Sequence, residues 1–568
     1  MAEDLRFSIT PVHRVPAEIL LEILGYLHLG SHPSSGNPCQ DAISVSQVCR
    51  RWRAAALQCR EIWSVLPMKP DSRWTKAAIE RSGTYPLTVD LPHDSSYTQS
   101  QWEDVCLVLA ELPRIRKLSI TFIEKGPAEP APKMAEATRL LRDTPATMLE
   151  DLKISTTDTQ YIRPAYYHLF SRTVPQKLRS LEAFGIDFAP DVLNASIFPD
   201  LRHLTLNECK LRRDHFLLRS PLTHLDVMRC EIWDEGTFED LLEALSLVPT
   251  LETMKLRCTL NRQMAESWME RPSSSELAPI PLPNLQSLHI QESYVACLGL
   301  LCGLSLPMSA AVKADALMHW DYIWTEDPAA TLHRTLSSYY APADAAGMSF
   351  SSARIRKRED VDNSLPDAYN SDVFTFLANG TRVRGPSGEW TDVSDDVQNG
   401  GSPGLGNLQL SLLGQDVDDD PDLLLPLAYT FFTLPVFQHL RTLYVHHSAV
   451  FITARHWFHV FSALQSVVDL TVEDCVAYGL VSAFNDTSRP QLFPKLEQLR
   501  FYDVEFLPEY RNGSDMPFFV LLQTGLLARA SDASVAPLRL LEINNCAIGE
   551  RLVGVLKKMF GDIVQVDD

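Results

Sequence analysis

The chain has 568 residues, of which 45% are hydrophobic and 22% charged, and its formal net charge is −21. That balance matches a globular protein and excludes global disorder, while the acidity repels phosphate backbones and argues against a nucleic-acid partner. Eleven cysteines with no C-x-x-C pair, and an opening (MAEDLRFSIT) without an apolar stretch, predict reduced thiols in the cytoplasm or nucleus rather than secretion.

Residues 13–27 read HRVPAEILLEILGYL. Leu20, Ile23, Leu24 and Leu27 fall at i, i+3, i+4 and i+7, which predicts one apolar stripe on a helix. Pro16 stands at its start, where a missing N–H costs nothing. Residues 28–40, rich in Gly, Pro and Ser, predict a loop. In SVSQVCRRWRAAAL, Val45, Val48, Cys49 and Trp52 predict a second amphipathic helix. Glu61-Ile62-Trp63 adds a short third apolar segment. From 11 to 66, five arginines (14, 50, 51, 53, 60) face four carboxylates (18, 22, 41, 61), a net +1, so the acidity lies elsewhere. Three short helices bury too little surface to stand alone, so the rest of the chain or a partner must cover them.

Taken in order, Val15-Pro16-Ala17-Glu18-Ile19-Leu20, Val48-Cys49-Arg50-Arg51-Trp52-Arg53 and Ile62-Trp63 resemble the F-box, whose pattern is L-P-x-E-I-L, V-C-x-x-W-R and a closing L-W. Two departures are Val15 in place of leucine and a longer 28–40 loop; loop insertion costs little closure entropy. The resemblance implies an F-box over residues 1–70, with its core at 13–66, docking on a Skp-family adaptor and through it on a cullin. It assigns Pro16, Ile19, Leu20, Leu24, Cys49 and Trp52 to the adaptor face or to its support. Residues 71–100 are expected to be a linker.

A second pattern, L-x-x-L-x-L-x-x-C, recurs over 101–568. Leu201-Leu204-Leu206-Cys209 and Leu222-Leu225-Val227-Cys230 are the clearest copies. Others begin at Leu251, Leu285, Leu405, Leu440, Val467, Leu496 and Leu538, and weaker ones at Ile115, Leu149 and Leu178. The inner pair of each unit is two residues apart, so both side chains leave one face of a short strand. Helical stripes lie between units, as at Phe238, Leu241, Leu242, Leu245 and Val248. The expected fold is therefore α/β: a small three-helix F-box, then an irregular leucine-rich-repeat solenoid with parallel strands and outer helices. Residues 314–403 break the pattern and are expected to be an irregular insertion or a set of unrecognised repeats. Its basic run, Arg354-Ile355-Arg356-Lys357-Arg358, is expected to be solvated surface. Ser293–Val312 is uncharged and long enough to span a bilayer. Gly299, Gly303 and Pro307 interrupt it, however, and the expectation is a buried strand and turn, with no membrane contact.

Cys209, Cys230, Cys475 and Cys546 share one repeat position, and are expected to be buried free thiols in separate repeats rather than metal ligands. Asp416, Asp418 and Asp420 resemble a calcium loop, but Pro421 and Leu427 stand where glycine and glutamate are needed. His456 and His459 lack the H-E-x-x-H glutamate. No cofactor, metal site or catalytic set is expected. The expected role is a non-enzymatic substrate receptor of a Skp–cullin–F-box ubiquitin ligase whose repeats hold a target protein. The alternative is a repeat scaffold with no ligase role.

Overall fold

A computed structural model of the chain describes residues 15–29, 38–66, 72–91, 99–122, 132–156, 175–186, 198–211, 220–232, 237–260, 279–318, 327–358, 373–384, 390–393, 405–413, 421–446, 451, 453–506 and 517–567. It forms two compact units, Met1–Gly236 and Thr237–Asp568.

The first unit opens with helices α1 (Ala17–Leu29), α2 (Pro38–Gln47) and α3 (Arg50–Gln58), then a 3-10 turn at Arg60–Trp63. The stretch read as one second helix is broken at Val48–Cys49. Cys49 is extended (φ −160°), and its Sγ accepts the Trp52 N–H at 3.5 Å, so it caps α3 instead of continuing α2. Residues 71–100, expected as a linker, instead contain α4 (Ser72–Ser82) and strand β1 (Leu87–Leu91). The helical module runs straight into the sheet: Thr88 N–H donates to Ser64 O (2.9 Å) and Leu66 N–H to Thr88 O (3.0 Å). Helices α5 (Gln99–Ala110) and α6 (Pro132–Asp143) separate β2 (Ile115–Phe122) and β3 (Asp151–Thr156) from their predecessors. With β4 (Ser180–Phe184), β5 (His203–Asn207) and β7 (His224–Met228) these strands make a parallel ladder in the order β1-β2-β3-β4-β5-β7. Two-residue strands β6 (Lys210–Leu211) and β8 (Glu231–Ile232) pair separately.

The second unit starts with α7 (Phe238–Ser246), held by a capping box between Thr237 and Asp240. Its strands are β9 (Thr253–Arg257), β10 (Ile280–Pro281), β11 (Ser287–Ser293), β12 (Leu304–Ser305), β13 (Ala311–Leu317), β14 (Met348–Arg358), β15 (Val373–Arg384), β16 (Trp390–Val393), β17 (Leu408–Leu413), β18 (Thr442–Val445), β19 (Asp469–Glu473), β20 (Gln498–Tyr502), β21 (Leu540–Asn544) and β22 (Val564–Asp567). The main sheet runs β9-β11-β13-β17-β15-β14-β18-β19-β20-β21-β22. Every pairing in that order is parallel except those of β15, which is antiparallel to both β17 and β14. Helices Tyr294–Gly303, Pro328–Ala345, Pro421–Thr433, Ala454–Phe461, Val476–Phe484 and Phe518–Ser531 pack each on the next as a second layer.

All twelve sequence-predicted units place their inner pair in a strand, and each of those side chains is buried. The expected irregular insertion is a correction. Between 314 and 403 lie the end of β13, the helix Pro328–Ala345, and β14, β15 and β16. Phe350, Ile355, Phe374 and Phe376 are fully buried. Phe350 stacks on Phe437 at 5.1 Å and Phe376 meets Phe431 at 5.0 Å, so the hairpin is anchored by aromatic burial. The basic run is the outer half of β14, with Arg354 exposed and Ile355 buried beside it. The uncharged run at 293–312 opens with a ten-residue helix, Tyr294–Gly303, that was not expected; the expected strand and turn occupy only its second half, as β12, a turn and the start of β13. No helix among the described residues is long and apolar enough to cross a membrane. The Asp416–Asp420 loop lies outside the described residues.

Seven of the units share one turn after the strand. Gly185, Glu208, Arg229, Cys258, Asp474, Asp503 and Asn545, all two residues past the inner pair, have φ between +48° and +64°. At several of these turns the following residue presents a backbone N–H that a side chain of the next repeat accepts. Cys209 N–H donates to Cys230 Sγ (3.4 Å) and Val504 N–H to Cys546 Sγ (3.3 Å). Thr259 N–H donates to Glu292 Oε1 (2.5 Å), which also accepts from Leu260 N–H (3.2 Å). Cys230 and Cys546 therefore close the orphan end of a strand, the structural role that a small polar side chain beneath a turn supplies. Two details differ from expectation. Cys209 and Cys230 touch across neighbouring repeats, and Cys475 and Cys546 are half-buried; all four are free. The hydrogen bond with Cys209, and then burial, push the Cys230 thiol above its ordinary range and keep it protonated. Cys230→Val should cost about 1–3 kcal/mol by stranding the Cys209 N–H; a urea midpoint unchanged from wild type would remove this role.

Candidate functional site

The helical module builds its core from few residues. Helix α1 packs on α3 and on the 3-10 turn. Leu20, Leu24, Ala55, Ala56, Ile62 and Trp63 are buried there. Trp63 is pinned on three sides: its Nε1–H donates to Ala56 O (2.7 Å), Arg81 of α4 lies 4.4 Å over its ring, and α4 packs on its turn. Arg51 donates to Val15 O, and Arg53 Nε donates to Ser46 O (2.9 Å), tying α3 to α1's leading residue and to α2. The module is thus closed on the side facing the chain by α4 and β1.

A second apolar stripe remains on α1. Ile19 (44% exposed), Ile23 (41%) and Tyr26 (63%) recur at i, i+4 and i+7, alongside the buried pair Leu20 and Leu24. Val48 (62%) and Leu57 (41%) are also exposed on the module. Singly exposed apolar residues are ordinary, but a stripe along one helix marks an interaction face.

The six residues assigned from the resemblance therefore divide. Pro16 is exposed at the head of α1, and Ile19 stands in the outer stripe. Leu20 (1%) and Leu24 (0%) are core and support the face from beneath. Cys49 is half-buried and caps α3. Trp52 is half-buried, and its enclosed Nε1 has no hydrogen-bond partner among the described residues. Ile23, read in one stripe with Leu20 and Leu24, faces out while those two are buried; the Leu27 side chain lies outside the described residues. Sequence reasoning missed Ile23, Tyr26 and Val48 as surface. The available signal was the excess of apolar residues in EILLEILGYL, too many for one face.

The histidine pair of the sequence reading sits on the helix Ala454–Phe461. His459 stacks on Tyr429 at 4.6 Å, and Trp457 and Phe458 between the histidines are buried. The helix uses its apolar face for the core and the histidines for its rim.

Comparison with known proteins agrees with this division. The family model described as F-box-like matches residues 12–66. No curated protein matches the chain. Among solved structures, the leucine-rich repeat-containing protein LegL7 from Legionella pneumophila is 11% identical, with a TM-score of 0.25; the match covers 73% of this chain and all of that one. At that score the repeat assignment rests on the strand register described above. The chain carries an F-box-like helical domain followed by leucine-rich-repeat-like α/β units, the architecture of a protein-interaction adaptor.

Proposed function

We propose that this chain is a substrate receptor of a Skp–cullin–F-box ubiquitin ligase. Residues 15–66 dock on a Skp-family adaptor, the adaptor joins a cullin, and the repeat units hold a target protein. The chain contributes no chemistry of its own; it raises the effective concentration of target near the transferring subunits. It acts in the cytoplasm or nucleus, where its free thiols stay reduced.

The observation that carries this reading is the outer stripe of α1. Ile19, Ile23 and Tyr26 stay exposed in a module whose core is complete without them. An exposed aromatic flanked by aliphatic residues is the composition of an interface centre. The test is co-purification of the full chain with a Skp-family adaptor and a cullin. Wild type should retain both. Ile19→Asp/Ile23→Asp should lose the adaptor by roughly 100-fold or more, because each carboxylate would be desolvated without a partner. Retention by the double variant, or no retention by wild type, would remove the docking role. Adaptor without cullin would leave a binding scaffold instead.

A further inference from the structure

Two side chains in the first unit carry chemistry beyond their structural part. Cys209 and Cys230 follow β5 and β7 at the same repeat position. The register holds on either side of them, with Asn207 opposite Met228 before and Lys210 opposite Glu231 after. Their Cα atoms are therefore cross-strand neighbours, about 4.8 Å apart, inside the range that a disulfide spans. Both side chains are buried, the Cys209 N–H lies 3.4 Å from Cys230 Sγ, and the two thiols hydrogen-bond to each other. Cys475 and Cys546 hold the same repeat position in the second unit, but the register puts Val504 between them. Two strand spacings, about 9.6 Å, cannot be bridged without moving the backbone.

The two thiols also differ from each other. The hydrogen bond from Cys230 pulls the Cys209 thiol below its ordinary range against the effect of burial, and backbone hydrogen bonds, that of Ile186 the largest, act the same way. Cys230 stays protonated. One sulfur is thus the better nucleophile, and the other stands in contact to resolve what the first becomes.

We propose that Cys209 and Cys230 form a hydroperoxide-oxidisable dithiol that closes reversibly into a disulfide between neighbouring repeats. The Cys209 thiolate attacks one oxygen of the hydroperoxide. The O–O bond breaks, and the other oxygen leaves as an alcohol, or as water from hydrogen peroxide, with the proton that Cys209 gave up. Cys209 is then a sulfenic acid. The Cys230 sulfur attacks it, the S–S bond forms, and the hydroxyl leaves as water with the Cys230 proton. Two thiols lose two electrons, and one hydroperoxide gains them. Burial admits only a small oxidant, and the neighbouring thiol intercepts the sulfenic acid before a second peroxide arrives. Side chains on parallel neighbours leave in the same direction, so the Cβ atoms stay about a strand spacing apart, wide of the usual disulfide geometry. A bond formed there is readily reduced, so in a reducing compartment the pair rests as thiols and closes under peroxide. The inference stands apart from the ligase reading and holds whether or not the adaptor binds.

The experiment exposes the purified full chain, folded and reduced, to hydrogen peroxide. Remaining thiols are then blocked with N-ethylmaleimide in urea, and tryptic peptides are read by mass spectrometry. Cys209 lies in peptide 203–210 and Cys230 in peptide 230–255. Those two peptides should appear linked, both cysteines should lose their alkylation together, and reduced glutathione added before blocking should restore it. No link between Cys475 and Cys546 should form. Cys230→Ser should stop the reaction at its first step, leaving peptide 203–210 heavier by oxygen, whereas Cys209→Ser should leave Cys230 alkylated. The proposal is overturned if wild type keeps both cysteines alkylated after peroxide, if the link forms only with peroxide added in urea, or if glutathione does not reopen it. Equal linking of Cys475 to Cys546 overturns it as well. Wild type alone gives the answer if circular dichroism shows that either serine variant has lost its fold.

Discussion

Leu24→Asp is expected to unfold the helical module while the repeat units keep their own melting transition. Leu24 is 0% exposed, in a core shared with Leu20, Ala56, Ile62 and Trp63. A carboxylate there would be withdrawn from water. Its burial costs several kcal/mol, on the order of everything so small a core supplies. Ile23→Asp, one residue earlier and 41% exposed, leaves its carboxylate in water and should leave the fold intact. Hydrogen exchange read by mass spectrometry separates the two. Amides of 17–66 should lose protection in Leu24→Asp and keep it in Ile23→Asp. Equal protection in both variants would show that the inner and outer stripes are wrongly divided.

The second large effect is a pH dependence centred on Glu292. Burial pushes its carboxyl up to about 8, against an ordinary 4.5, although the N–H groups of Thr259 and Leu260 pull the other way. The folded chain thus holds a proton that the unfolded chain has already lost between those two values. Folding stability falls as pH rises through that window, by up to roughly 4–5 kcal/mol from this one group. Below about pH 4.5 both states are protonated and the effect vanishes. Glu292→Gln keeps an oxygen to accept both N–H groups and has nothing to ionise. Its thermal midpoint should therefore exceed that of wild type at pH 8 and converge on it at pH 5. Parallel midpoint curves for the two proteins across that range would show that the carboxyl is not confined as described.

Much of this was legible from side-chain spacing. Motif blocks at Val15–Leu20, Val48–Arg53 and Ile62–Trp63 mark the helical module, because its helices are short and each carries its own signature. Strands of the L-x-x-L-x-L type announce themselves because the inner pair must leave one face. What escaped was governed by contacts distant in sequence. The break at Val48–Cys49 depends on a thiol acting as cap, a weak acceptor that is not among the preferred cap residues. Strands β14 and β15 lack the repeat pattern because they pair as a hairpin, and their buried positions carry Phe350, Phe374 and Phe376 instead of leucines. The outer stripe of α1 was visible as an excess of apolar residues, but only burial distinguishes which half faces the core.

The reversed strand β15 also governs how the second unit can assemble. A regular repeat array grows by adding each strand to the one before it, and every partial product is a shorter version of the whole. Here that sequence is interrupted. β13 ends at Leu317, yet its neighbour β17 begins at Leu408, so about 90 residues must be ordered or looped out before that edge is closed. The β14–β15 hairpin can form by itself, and β17 then has to settle between two edges already made, parallel to one and antiparallel to the other. Until it does, the β13 side of β17's slot and the β15 side opposite both present unpaired backbone groups. Any order of assembly that makes the hairpin before β17 is placed leaves two unpaired strand edges, and that seam is where chaperone protection, or aggregation in its absence, would act.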